Sequence, residues 1–581
     1  MGKTRWYSVC YYRTILIVIS CAALLLSMAG CSIKSLAAPA QGLERHTTEG
    51  IVIGEENSTT NTILWKAIPY AQPPVGDLRW KAPQPPQKRS AALKAATFCD
   101  ICPQYTDHDF NIATPQVIRG NEDCLYLNIW SPKNATGNLP VFLWIHGGGN
   151  SIQWPLLSRH DGGILANKGN MVVVTVSYRL GPMGFFNHPA LKTGDDAGDS
   201  GNFSILDLIS ALKWVQANIN NFGGDAGNVT IAGESAGGQN VFSLISSPMA
   251  KGLFHRAISE SGGLRRSTPA QGAAHMDGII AKLLVKDGKA ADRTAAKAML
   301  AAMPAKDVAA YIRSQKAQDF LEMYPEGKGI GMITFPQTFG DGKVLPKDSY
   351  AALEAGNYNK VPMILGTNKE ELKLFMNFVP PFASWIKDQS IFKDPAKLEI
   401  YDLDAKYLSD GWKEAAVDYP ASLMRGNSDQ PAIFAYQFLW GAGGAKNNVI
   451  DPPRNMLLGA CHTIDLEFVF GTEKLMLGAM VFNEKNRAGR VALSNAMMDY
   501  WSEFARTGNP NRIQSGLPTW SPWSNIKGQP KMILLDADLE KTKIVMSNIE
   551  LTLGDIEAAL KSEPRQKEIQ PAWDGSIFRR K

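Results

Sequence analysis

The sequence predicts an α/β fold with a mainly parallel central sheet flanked by helices, and three observations carry that expectation. Residues 140–145 (Pro-Val-Phe-Leu-Trp-Ile) and 171–177 (Met-Val-Val-Val-Thr-Val-Ser) are continuous apolar runs of strand length, the pattern of strands buried on both faces. Residues 204–218 space their apolar side chains by three and four, as a helix does, and residues 229–232 supply the next strand. Buried strands alternating with helices pack as a parallel sheet covered on both sides.

Taken in chain order, residues 1–30 carry Lys3, Arg5 and Arg13, then an apolar run over 15–29, then Met28-Ala-Gly-Cys31. This is similar to a bacterial lipoprotein signal, with Cys31 as the lipidation candidate and a membrane-anchored, exported body as the consequence. Ala38-Pro-Ala40 offers a cleavage site for plain secretion, and an uncleaved anchor is the third reading, although the apolar run is short for one. Residues 31–43 read as a linker. Of the formal net charge of +5, the leader holds three cations and no acid, so the remainder carries about +2, which with no basic stripe argues against a nucleic-acid partner.

From about 50 to 145, short strands are broken by Pro-rich turns such as residues 72–79 and 82–86. An exported protein can form disulfides. Outside the leader and Cys31, four cysteines remain: Cys99, Cys102, Cys124 and Cys461. Pairing Cys102 with Cys124 closes a loop of about 20 residues, worth roughly 3 kcal/mol; Cys99 with Cys124 is the alternative. No Cys or His spacing suggests a metal. Residues 268–325 turn to Ala, Lys and Met at helical spacing and read as a helical insertion within one domain spanning 44–581. Residues 374–385 gather aromatics around two prolines, suited either to a pocket mouth or to a packing loop.

The chemistry centres on Gly233-Glu-Ser-Ala-Gly237, entered by a β-branched run and left by a helix-compatible segment. Glycines on both sides let Ser235 sit on a sharp strand-to-helix turn with its hydroxyl clear of the sheet. By composition alone the five-residue pattern is expected roughly 0.3 times in such a chain, so its partners must carry the case. A serine needs a base and a group to orient the base. In α/β-hydrolases the order is serine, acid, histidine, and His255 and His275 follow Ser235 too closely for an acid-bearing strand to intervene. His462 is therefore the candidate base. The strand-like residues 361–367 lead into Asn368-Lys-Glu-Glu371, which places a carboxylate past a strand end but leaves Glu370 and Glu371 unseparated. Residues 144–150 (Trp-Ile-His-Gly-Gly-Gly-Asn) form a glycine loop able to bring N–H groups to an oxyanion, and the Ala236 amide is another donor.

Together these segments resemble the type B carboxylesterase family, which includes the cholinesterases, over residues 44–536. The resemblance rests on Glu122-Asp-Cys-Leu-Tyr-Leu-Asn128, His146-Gly-Gly-Gly149, Ser177-Tyr-Arg-Leu-Gly181, Gly233-Glu-Ser-Ala-Gly-Gly238, Phe254-His-Arg-Ala-Ile-Ser-Glu-Ser-Gly262, Asn368-Lys-Glu-Glu371, Gly459-Ala-Cys-His462 and Thr507-Gly-Asn-Pro-Asn511. It implies an α/β-hydrolase fold with Ser235 as nucleophile, His462 as general base and acid, and Glu371 as the orienting carboxylate. Gly148, Gly149 and Ala236 take the oxyanion-hole positions, and Ser261 matches a serine that supports the triad. It further implies the disulfide Cys102–Cys124 and the ion pairs Arg79–Glu122 and Arg179–Asp207. Residues 103–123 contain no tryptophan, where cholinesterases bind the quaternary ammonium by cation–π attraction, so choline esters are disfavoured. Glu370 and Leu372 stand where the family often has Asp and Gly. The expected activity is hydrolysis of a small-molecule carboxylic ester without a cofactor. The alternatives are lipase or amidase action on the same triad, or a binding protein of this fold without catalysis.

Overall fold

The computed structural model describes residues 42–106, 116–153, 161–328, 331–473, 475 and 477–575. The leader and Cys31 lie outside the described residues. Among those described, eleven strands form one sheet: β1 (Glu55–Asn57), β2 (Thr62–Pro69), β3 (Tyr126–Pro132), β4 (Leu139–Ile145), β5 (Val172–Val176), β6 (Gly224–Glu234), β7 (Arg256–Glu260), β8 (Met363–Asn368), β9 (Ile433–Phe438), β10 (Met532–Leu535) and β11 (Val545–Ser547). Their spatial order is β11-β10-β9-β8-β7-β6-β4-β5-β3-β2-β1. Strands β5 through β10 with β4 run parallel, while β11 at one side and β3, β2 and β1 at the other are antiparallel. The fold is thus α/β with a large, mixed, mostly parallel sheet.

The continuous apolar runs behave as strands with two buried faces. Every residue of β4 is buried; Val141, Leu143 and Ile145 enter one core layer, and Phe142 and Trp144 enter the other. On the first face lie helices α1 (Phe203–Asn218), α2 (Ala236–Ser246) and α3 (Pro269–Lys286), contributing Leu208, Leu212, Phe242 and Ile280 among others. On the second face α4 (Arg487–Thr507) contributes Leu493, Met497, Trp501 and Phe504. Each such side chain stabilises the fold by about 1.5–3 kcal/mol relative to exposure. Strand β6 starts earlier than its apolar run, at Gly224, and its register against β4 shifts between Gly224 and Val229. The polar residues Asp225 and Asn228 mask that bulged start in the sequence, because periodicity reports side-chain burial and not backbone pairing.

Beyond α3, the helices Arg293–Ala302, Ala305–Ser314 and Ala317–Glu322 follow closely. Cys102 and Cys124 form a disulfide with Cα atoms 5.2 Å apart, and Cys99 is free. Both ion pairs are present. Arg79 Nε reaches Glu122 at 2.6 Å, and Arg179 grips Asp207 through Nε at 2.8 Å and Nη2 at 2.6 Å, with both side chains buried. Removing one partner of a buried bidentate pair strands the other charge in a medium that cannot solvate it. Asp207→Ala is therefore expected to cost about 3–5 kcal/mol of stability, read as a lower denaturant midpoint in fluorescence unfolding. An unchanged midpoint would show that Arg179 finds water or another acceptor. No helix among the described residues is long and apolar enough to cross a membrane.

Candidate active site

The site collects at the carboxyl ends of the central strands, where parallel sheets expose their loops. Ser235 follows β6 with φ 57° and ψ −122°, a conformation costing on the order of 1–3 kcal/mol for a residue with a side chain. Its N–H donates to Glu260 O at 2.9 Å, so the last residue of β7 holds the turn in place. Two residues on, Gly237 passes so close to β4 that a Cβ would lie 2.0 Å from Ile145 O; only glycine lets α2 start there.

His462 is buried, and its Nδ1 lies 2.6 Å from Glu371 Oε2. The other oxygen of Glu371 accepts hydrogen bonds from Ser261 Oγ at 2.5 Å, Thr367 Oγ1 at 2.8 Å and Asn368 N–H at 2.7 Å. Both oxygens are thereby committed, and the carboxylate has one orientation. Glu370 points elsewhere: its Oε2 accepts the Ala460 N–H at 3.1 Å and its Oε1 lies 3.0 Å from Lys373 Nζ. The geometry thus separates the two glutamates. The His462 ring is flanked by Trp412 and Phe375, with centroids 4.7 and 5.2 Å away.

Glu234, the residue before the serine, places Oε1 3.1 Å from His462 Nε2. The N–H direction misses that oxygen, which accepts no hydrogen bond, so the contact is electrostatic only. Ser235 Oγ makes no hydrogen bond to His462 here. Catalytic hydrogen bonds are often long or misaligned without substrate, tightening when it binds. Burial pushes Glu234 up to about 8, against the opposing charge of His462. Burial by itself would lower His462, but Glu234 and Glu371 outweigh it and raise the imidazole to about 9. Beneath the site, burial raises Asp465 to about 6, where Asn368 Nδ2 and Tyr436 OH donate to it at 3.0 and 2.9 Å.

The glycine loop after β4 turns at Gly148, φ 96°, where a Cβ would meet Ile152 O at 2.1 Å. The N–H groups of Gly148 and Gly149 donate to no acceptor among the described residues, and that of Ala236 opens α2, where helical N–H groups lack an internal partner. His146, lowered to about 4 by burial, donates from Nδ1 to Gly147 O at 2.8 Å and stacks on Tyr178, whose hydroxyl donates to His146 O. That neutral imidazole fixes the loop. Ser235, Gly149 and Ser261 open onto a cavity of about 880 Å³ walled by Leu264, Met332, Leu372, Phe375 and Trp412. Among the described residues no cluster of His, Cys, Asp and Glu is suited to a metal ion.

A sequence profile described as the carboxylesterase family matches residues 41–431 and 405–551. The chain belongs to the type B carboxylesterase family. The chain is 34% identical to the para-nitrobenzyl esterase of Bacillus subtilis (strain 168), over 78% of its length and 88% of that protein. It is equally similar, at 34%, to liver carboxylesterase 1F of Rattus norvegicus over 82% of the chain and 87% of that protein. In structure it is similar to a thermophilic PNB esterase, with a TM-score of 0.67 at 28% identity, covering 91% of this chain and 99% of the other. A Geobacillus stearothermophilus carboxylesterase gives a TM-score of 0.65 at 26% identity, covering 89% and 99%.

Several residues of the site have no role legible in the sequence. Glu234 sits inside the serine motif, and Asp465 lies three residues past His462; both are readable as neighbours, but their approach to the imidazole is not. The aromatic stretch 374–385 divides its work, since Phe375 flanks His462 while Phe382 and Trp385 pack edge to face with each other and Phe382 with Tyr401. His255 Nδ1 accepts the Val229 N–H and His275 pairs with the Tyr324 hydroxyl, so both serve structure away from the serine.

Proposed function

We propose that the protein is a serine carboxylesterase that hydrolyses small-molecule carboxylic esters through an acyl-enzyme on Ser235. The supporting observation is the buried Glu371–His462 pair at 2.6 Å, set behind Phe375 and Trp412 in the wall of the cavity onto which a serine on a strained turn opens. In this reading Ser235 Oγ attacks the ester carbonyl while His462 Nε2 takes its proton; the imidazolium then protonates the departing alcohol. Water, deprotonated by the same nitrogen, releases the acid. Glu371 holds the proton on Nδ1 so that Nε2 presents a lone pair, and Ser261 holds Glu371. The N–H groups of Gly148, Gly149 and Ala236 stabilise the oxyanion, each worth about 3–4 kcal/mol. The para-nitrobenzyl and liver carboxylesterase relatives support an ester as substrate, and the cavity volume suits one larger than ethyl acetate.

A fluorophosphonate probe tests this directly. It should label Ser235, located by peptide mass spectrometry, and block ester turnover in step with labelling. Because the raised His462 must lose its proton to act as base, the labelling rate should climb with pH through a midpoint above neutrality, higher than an ordinary histidine's. Label on another residue, or none, would refute the reading; a midpoint near pH 6 would refute the electrostatic account of His462.

A further inference from the structure

The cavity that holds Ser235 has a cationic wall. Arg265 and Arg266 follow shortly after Ser261 beyond β7, and Lys347 enters from the segment ahead of the helix Ser349–Glu354. No carboxylate pairs with any of the three among the described residues. Asp348 lines the same cavity but caps that helix, its Oδ1 accepting the Ala351 N–H at 3.0 Å. Asp341, whose charge reaches Arg266, accepts the N–H groups of Lys343, Val344 and Leu345 and the Asn202 amide. Arg266 donates through Nη1 to Arg265 O at 2.8 Å and to Ser243 Oγ at 3.3 Å, while its Nε and Nη2 are buried with no acceptor. The Arg265 side chain donates no hydrogen bond. It is exposed by surface area, yet desolvation lowers its pKa, as expected of a side chain standing inside a cavity and not on open surface.

Holding guanidinium groups out of bulk water without a counter-charge is unfavourable, and folds that do so normally pair them. Arg265 is the member whose unpaired guanidinium faces the space a substrate must enter, whereas Arg266 Nε and Nη2 are closed off from it and its charge acts from behind that wall. Guanidinium is a planar fork matched to the two oxygens of a carboxylate, and a cleft lined by one sign of charge raises the local concentration of the opposite sign. We propose that this cavity takes esters carrying a free carboxylate, which Arg265 holds, with Arg266 and Lys347 adding positive charge to the wall, while Ser235 attacks the ester carbonyl. The inference rests on the serine-esterase reading and adds the substrate class to it. The charged group sits on the acyl side, as in a half-ester of a dicarboxylic acid, or on the alcohol side, as in an acylated hydroxy acid; the chemistry of recognition is the same.

The test compares kcat/KM for monoethyl esters of dicarboxylic acids and for acetyl esters of hydroxy acids, each over a series of chain lengths, with uncharged esters of matched length. Wild type should favour the charged member in one series, which identifies the side, and added salt should shrink the preference. Arg265→Met should lower the charged-to-neutral ratio by about tenfold or more, and Arg266→Met, which removes only a charge behind the wall, by less. Because Arg265 is the exposed member, its variant reads the effect even where Arg266→Met fails to fold. Neutral esters preferred in both series, or a charged preference that Arg265→Met leaves unchanged, would overturn the inference. Neutral esters hydrolysed by wild type but without charge preference sink only this subsite, whereas no ester turnover at all sinks the esterase reading itself.

Discussion

Ser235→Ala is expected to lower kcat for ester hydrolysis by about 10⁴- to 10⁶-fold with little change in stability. The loss is large because no second hydroxyl can take its place: Ser261 is buried and already donates to Glu371, and the Ser259 hydroxyl donates to Gly238 O. Stability should hold because alanine accepts the same positive φ at the same cost, and the Ser235 hydroxyl contributes no hydrogen bond to the fold. Steady-state turnover alongside thermal unfolding checks both halves. A variant retaining more than about a hundredth of wild-type turnover would mean that the acyl-enzyme forms elsewhere.

Glu371→Gln is the second large effect, a fall in kcat of about 10⁴-fold, the size seen when the orienting carboxylate of such a triad becomes an amide. The reason lies in the hydrogen-bond inventory. Three donors converge on Oε1, and one of them, the Asn368 N–H, is backbone and cannot turn away. The glutamine carbonyl must therefore take that position, which turns its NH₂ toward His462 Nδ1. Nδ1 then becomes an acceptor, the imidazole proton moves to Nε2, and the nitrogen beside Ser235 loses its lone pair. NMR of the imidazole should show the Nε2–H tautomer, and turnover should recover little at high pH. Near-normal kcat would show that the Nδ1–H tautomer persists without the carboxylate.

Glu371 also illustrates what the sequence withheld. Two adjacent glutamates past a strand end are chemically alike, and only the direction of the turn after Asn368 sends one to His462 and the other to Lys373 and Ala460. Glu371 and His462 stand 91 residues apart, joined because β8 and β9 are neighbours and their carboxyl ends share one rim. Glu234 was in view throughout as part of the serine motif, but its approach to the imidazole depends on where the fold places the remote His462, which the local sequence does not record. The cationic wall was hidden for a similar reason: Arg265 and Arg266 read as an ordinary basic pair until the acids that might neutralise them are found committed to backbone N–H groups.

By itself, then, the sequence determined the class of fold, the serine on its elbow, the glycine loop and the single downstream histidine in the right order. These are local properties: burial on both faces writes continuous apolar runs, and close backbone approach leaves only glycine. Tertiary structure alone decided which glutamate meets His462, how neighbouring carboxylates raise that imidazole, and which arginines line the cavity of Ser235 without a carboxylate. Those outcomes depend on distances and desolvation between segments remote in the chain, and both come into being only when the sheet brings its strand ends together.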